Sequence, residues 1–156
     1  MVALLRLPKG KRMLEVGCGG AVALAPLNKR CSPSHLTGID IDARALADGS
    51  ERLARRGVEC SLLLADVRKM PFRDGSFDII VDFGTCYHIA DAERALSEIT
   101  RVLTEGGNFA YETRLSQLMS HPLRSLGRFI PWEAAPELRM SWVMPLWAVR
   151  TKRVRG

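Results

Sequence analysis

The sequence predicts an α/β domain built on a mostly parallel, seven-stranded sheet, with helices on both faces and an antiparallel closing strand. Three observations carry that expectation. Short apolar runs alternate with helical segments of about 8 to 14 residues, the pattern of βαβ units. The central runs, such as Ile79-Ile80-Val81, are apolar throughout and suit strands covered on both faces. Acids recur where these runs end, at Glu15, Asp40, Asp66 and Asp82. In an open parallel sheet the ligand crevice lies outside the C-terminal strand ends, so these acids would share one edge.

A lead-in from Met1 to Lys11 is punctuated by Pro8 and Gly10. The first strand is Arg12 to Val16, and Gly17, Cys18, Gly19 and Gly20 break it. A helix from Ala21 to Asn28 follows, with Pro26 expected to end or kink it. The second strand, Leu36 to Asp40, leads into a helix from Ala43 to Arg56 that places Leu46 and Leu53 inward and stops at Gly57. Cys60 to Ala65 is the third strand, ending at Asp66. A loop from Arg68 to Ser76 turns at Asp74-Gly75.

Phe77 to Phe83 is the fourth strand and Gly84 to His88 its strand-end loop. The segment Asp91 to Leu103 puts Ala95, Leu96, Ile99 and Val102 on one helical face, and Gly106-Gly107 is read as its terminator. The fifth strand is Asn108 to Thr113. A short helix around Leu115 and Met119, interrupted at Pro122, leads to an irregular stretch with Pro131, Trp132 and Pro136. Leu138 to Val143 and Leu146 to Thr151 close the sheet around Met144-Pro145.

The 156 residues are most simply one domain, 1–156. No run of about 18 apolar residues predicts a membrane span, and Val2 to Leu7, interrupted by Arg6, is too short for a secretory signal. A cytoplasmic location is expected. Cys18, Cys31, Cys60 and Cys86 are scattered without metal-ligand spacing, so reduced thiols and no metal are expected. The net charge of +6 is uneven. Arg114 to Gly156 holds eight basic and two acidic residues, while the preceding part balances at fifteen each. Such a bias suits a solvated face, and it leaves RNA open as a partner.

A strand running into a glycine turn and then a helix lets a ligand approach the backbone closely. A dinucleotide fingerprint would need a third glycine where Val22 stands, although Asp40 lies near the distance expected for a ribose-binding acid. No lysine-bearing phosphate loop is present.

Four stretches together resemble the class I S-adenosylmethionine-dependent methyltransferases, and within them the ubiquinone and menaquinone type. They are E-V-G-C-G-G-A from Glu15, T-G-I-D-I-D from Thr37, A-D-V-R-K-M-P-F-R-D-G-S-F-D-I-I-V from Ala65, and E-I-T-R-V-L-T-E-G-G from Glu98. The resemblance implies a Rossmann-like fold. It implies that Glu15 and the backbone of Gly17, Cys18 and Gly19 hold the methionine part of S-adenosylmethionine. Asp40 would accept from the ribose hydroxyls, Ile41 would pack on the adenine, Asp66 would take the adenine amino group, Val67 would offer its backbone, and Gly84 would lie beneath the methionine end. A sulfonium is cationic, so acids are tolerated where a pyrophosphate would be repelled.

Two departures stand out. Ala21 replaces the last glycine of the loop, with a methyl expected to narrow it, and only eleven residues precede the first strand. The site would therefore be open, covered by residues 114–137, or completed by a second subunit in a homodimer.

The implied reaction is in-line methyl transfer to a small-molecule acceptor. His88 is the candidate base and Tyr87 a residue lining or orienting the acceptor. Tyr111, Glu112, Arg114, Met119, His121, Phe129, Trp132 and Trp142 are further acceptor-contact candidates. No Asn-Pro-Pro-Tyr-like tetrad follows the fourth strand, which disfavours chemistry on a flipped DNA base. An RNA or protein methyltransferase, or a non-catalytic cofactor-binding partner subunit, are the alternatives.

Overall fold

The computed structural model describes residues 7–120 and 129–154; the readings at Met1 to Arg6, His121, Pro122 and Arg155 fall outside them. In chain order the elements are β1 (Arg12–Val16), α1 (Leu24–Cys31), β2 (His35–Asp40), α2 (Ala43–Ala54), β3 (Ser61–Leu64) and β4 (Phe77–Asp82). Then come α3 (Thr85–His88), α4 (Ala92–Val102), β5 (Leu103–Glu112), α5 (Arg114–Ser120), a 3-10 turn (Trp132–Ala134), β6 (Leu138–Val143) and β7 (Trp147–Lys152).

The sheet has seven strands in the order β3-β2-β1-β4-β5-β7-β6. β1 to β5 pair in parallel, and β7 runs antiparallel to both β5 and β6. The chain moves outward from β1 to β3 and then returns to the far side of β1. That reversal leaves a crevice between the C-terminal ends of β1 and β4. Helices α1 and α2 cover one face, against Met13, Ile79, Val81 and Trp147. Helix α4 and the 3-10 turn cover the other, against Leu14, Ile80 and Phe109. Among the described residues no helix is long and apolar enough to cross a membrane. All four cysteines are free.

Three departures from the sequence expectation have physical causes. Helix α1 starts at Leu24 because Ala21 sits in the left-handed region, with φ 57°, and closes the glycine turn. Pro26 then occupies the third helical position, where its missing N–H costs no intrahelical bond, so it neither ends nor kinks the helix. Gly84 to His88 is not wholly a loop, since Thr85–His88 forms one helical turn. Asp82 makes that turn possible by accepting from the N–H groups of Gly84, Thr85 and Cys86 at 2.9, 2.6 and 3.0 Å.

The glycine pair Gly106-Gly107 does not end α4. The helix stops at Val102, and the Lys152 ammonium caps it by donating to the carbonyls of Thr100 and Leu103, both at 2.7 Å. The pair instead sits inside β5, where the register jumps from Phe77↔Leu103 to Ile79↔Asn108. Gly106 has φ 72°, and a Cβ on Gly107 would lie 2.8 Å from the Thr104 carbonyl oxygen. The bulge therefore requires glycine there.

The methyl of Ala21 does not narrow the glycine loop. It is fully buried against α2, where Gly49 leaves room for it. A Cβ on Gly49 would lie 2.9 Å from that methyl and 3.1 Å from the Gly20 carbonyl carbon. Gly49→Ala is therefore expected to destabilise the fold by about 1 kcal/mol, because overpacking outweighs the gain in helix propensity. Adding Ala21→Gly, which relieves both the clash and the left-handed strain, restores stability to at least the starting value. Urea denaturation of the single and double variants measures both effects. A neutral or stabilising Gly49→Ala contradicts the paired fit.

Candidate functional site

At the C-terminal edge of the sheet, a cavity of about 320 Å³ is bounded by the glycine turn, the β2 tip, the segment after β3 and the start of α3. It brings together Gly17, Asp40, Ile41, Asp66, Val67, Gly84 and His88 from the sequence expectation. Two larger clefts, about 890 and 740 Å³, lie at the opposite edge of the sheet and contain none of those residues.

The glycine turn is tied to β2 at two points. The Cys18 N–H donates to the Ile39 carbonyl at 2.9 Å, and the Gly19 N–H donates to Asp40 Oδ2 at 2.7 Å. Asp40 Oδ1 accepts from the Asp42 N–H at 2.9 Å. One carboxylate thus sets both the turn and the entry to α2, and it keeps acceptor capacity toward the cavity. Gly17 has φ 63°, and its Cα abuts the Thr85 hydroxyl so closely that a Cβ would lie 1.9 Å from that oxygen. The hydroxyl donates to the Val16 carbonyl at 3.1 Å. The Cys18 thiol is buried near the Cβ position of Gly38. Of Glu15, Gly17, Cys18 and Gly19, expected to hold the methionine part, only Gly17 lines the cavity.

Glu15 lies beneath this turn. Its side chain is 3% exposed and its Oε2 has no hydrogen-bond partner. Burial pushes its carboxyl up to about 8, with the nearby Asp82 and Asp40 charges adding to the shift. Such an orphaned acid is costly unless a donor or cation reaches it.

Ile41 is 69% exposed at the cavity wall, an apolar surface able to take a flat ring. Val67 is buried in the same wall. Asp66 is held by Arg68, whose side-chain hydrogen bonds keep the carboxyl below its usual range. Sequence reasoning missed Arg68; the available signal was its place two residues after Asp66, where an Asx turn folds the chain back.

The two residues read as catalytic part company. His88 ends α3, exposed and on the cavity wall. Tyr87 is 5% exposed, packs within the core and is no part of the cavity wall. Within one helical turn adjacent side chains diverge by about 100°, enough to leave His88 on the cavity and Tyr87 in the core.

At the end of β5, the buried Glu112 accepts a hydrogen bond from the Gln117 amide, and that amide lies against Gly84. Burial and the Asp82 charge push Glu112 up to about 7. Trp132 packs on Tyr111 with ring centroids 4.6 Å apart and carries the Arg150 guanidinium 3.6 Å from its own. Trp142 packs with the α1–α2 core. Arg114 lies over the exposed Phe129 ring at 4.7 Å, and Met119 is 70% exposed. Lys152 ends β7, which runs antiparallel to β5, so this basic end lies at the sheet edge opposite the cavity.

A family described as "Methyltransferase domain" matches residues 14–111. Sterol 4-C-methyltransferase strm-1 of Caenorhabditis elegans is 33% identical over 108 residues, covering 67% of this chain and 31% of that protein. Phthiotriol/phenolphthiotriol dimycocerosates methyltransferase of Mycobacterium leprae (strain TN) is 31% identical over 102 residues, covering 65% and 37%. The chain thus spans about a third of these two curated relatives' length. Among solved structures, a putative methyltransferase in complex with the Haloferax volcanii Trm112 methyltransferase activator has a TM-score of 0.77 at 19% identity, covering 98% of this chain and 87% of that one. The [4+2]-cyclase SpnF has a TM-score of 0.64 at 26% identity, covering 67% and 39%. With the family pattern laid over β1 to β5 and the acids at those strand tips, the chain belongs to the class I S-adenosylmethionine-dependent methyltransferases.

Proposed function

We propose that this chain binds S-adenosylmethionine in the strand-tip cavity and acts in the cytoplasm on a small apolar acceptor of the lipid or quinone type. The observation that carries this reading is the cavity itself. It unites a carboxylate at Asp40, an exposed apolar wall at Ile41 and a second acid at Asp66. Gly17 in its lining lies two residues from Glu15, a buried acid with an orphaned oxygen that feels the Asp40 charge. That set of acceptors fits a cationic nucleoside and repels a pyrophosphate.

When bound, the cofactor supplies an electrophilic methyl carbon on a sulfonium. The chain's own residues orient and desolvate it. Asp40 accepts from the ribose, Ile41 packs on the base, Val67 offers its backbone N–H, and Glu15 gains a cationic partner. His88, exposed on the same wall, takes a proton where the acceptor must lose one. Of the segment expected to cover the acceptor, Arg114–Ser120 would do so, whereas Ala134 to Glu137 line the cleft at the opposite edge.

An apolar acceptor is supported by the sterol and phthiotriol names of the two relatives and by the exposed Leu115, Met119 and Phe129 beyond the β5 tip. RNA draws less support, because Lys152 and Arg150 are used inside the fold and lie away from the cavity. A second reading, action together with a partner subunit, is favoured by the neighbour solved with an activator. The test is transfer from methyl-labelled cofactor to a panel of sterols, diol lipids, quinone precursors and RNA. Label is expected in the organic extract, and label confined to RNA overturns the acceptor class.

A further inference from the structure

The acid expected to receive the adenine amino group already has a ligand. Asp66 Oδ1 accepts from the Arg68 backbone N–H at 2.8 Å and from its Nε at 3.0 Å. Asp66 Oδ2 accepts from Nη2 at 2.7 Å and from the shared Nε at 3.1 Å. A carboxylate offers roughly four acceptor directions, so little capacity is left for an incoming amine. Asp66 and Arg68 both line the cavity, and their side chains are each 37% exposed.

The backbone of this turn has anchors that do not involve the guanidinium. The Lys69 N–H donates to the Asp66 carbonyl at 2.9 Å, and Arg94 Nε donates to the Arg68 carbonyl at 3.1 Å. Apart from those to Asp66, the guanidinium's one hydrogen bond among the described residues is a long 3.4 Å contact from Nη1 to the Ala90 carbonyl, with the Asp91 charge adding a weaker attraction. It can therefore swing without disturbing the loop that presents Asp66.

We propose that Arg68 competes with the cofactor's adenine for Asp66, so that the guanidinium must turn aside before the base can dock. This rests on reading the cavity as the cofactor site. Arg68 is then an affinity-setting residue, and its competition has a signature that a packing role lacks. An exposed ion pair weakens as salt rises, whereas a hydrogen bond from a neutral base depends on salt far less. Affinity for an uncharged nucleoside should therefore rise with salt.

The test is calorimetric titration of the full chain with S-adenosylhomocysteine and with adenosine, at low and high sodium chloride, for the parent and Arg68→Met. At low salt the variant is expected to bind both ligands about two- to fivefold more tightly, the ratio set by loss of one exposed pair. The parent's affinity for adenosine should rise toward the variant's as salt increases, while the variant stays flat. Equal or weaker binding by Arg68→Met, or adenosine affinity in the parent that is flat or falls with salt, overturns the competition and leaves the cavity reading intact. Failure of both folded proteins to bind S-adenosylhomocysteine overturns the cavity reading and the competition together.

Discussion

Asp40→Ala is expected to weaken binding of S-adenosylhomocysteine about 10- to 150-fold. That range corresponds to about 1.5–3 kcal/mol for a hydrogen-bonded charged group. Two losses combine. The ribose loses its acceptor, and the Gly19 N–H, held at 2.7 Å by Asp40 Oδ2, loses the partner that shapes the glycine turn. Asp40→Asn separates them. Its one remaining carbonyl oxygen can keep the Gly19 bond, but it cannot accept both ribose hydroxyls with full charge, so an intermediate loss is expected. Titration calorimetry on both variants, with melting curves to confirm folding, makes the comparison. A change under about threefold for Asp40→Ala would contradict the ribose assignment.

The second large effect concerns Glu15 and pH. Its carboxyl lies at about 8 in the folded chain against 4.5 in an unfolded one, with burial as the main cause and Asp82 and Asp40 facing it. Below 4.5 both states hold the proton. Between 4.5 and 8 the folded state keeps a proton that the unfolded state has lost, so stability falls as pH rises through that window, then levels off. The full swing is on the order of 3 to 5 kcal/mol. Glu15→Gln removes it. Urea denaturation at pH 5, 6.5 and 8 should show the variant gaining most at pH 8, with a shallower slope left by Glu112, which is pushed up to about 7. Equal slopes for parent and variant would mean that Glu15 is already ionised. On the proposed reading S-adenosylmethionine would give the ionised Glu15 a cationic partner, so its affinity should climb from pH 6 to 8 in the parent and much less in the variant.

How far the sequence could be read depended on the range of each cause. The strands themselves and the acid-bearing edge followed from local patterns: apolar runs for β1, β2 and β4, and acids where those runs stop; the order in which the strands pair did not. The cavity accordingly gathers Gly17, Asp40, Ile41, Asp66, Val67, Gly84 and His88 on one wall. Features set at long range were not legible. The end of α4 is fixed by Lys152, fifty residues beyond Val102, so the nearer glycines were a natural but mistaken stop. The register of α1 depended on Ala21 taking a left-handed conformation that glycine usually takes. Arg68 lies beside Asp66 in sequence, yet its role is a side-chain fold that no periodicity encodes. Tyr87 and His88 were read together because a loop was expected, and the single turn of α3 pulled them apart.

The strand order has a consequence for synthesis. β7 is inserted between β5 and β6, so a growing chain that has emerged through Glu112 can assemble all five parallel strands and the acid-lined edge before β7 exists. At that stage the outer side of β5 offers unsatisfied backbone groups to any neighbouring nascent chain, and α4 still lacks its distant ammonium stop. The β6–β7 hairpin, synthesised after β5, is thus the element that shields the intermediate from self-association.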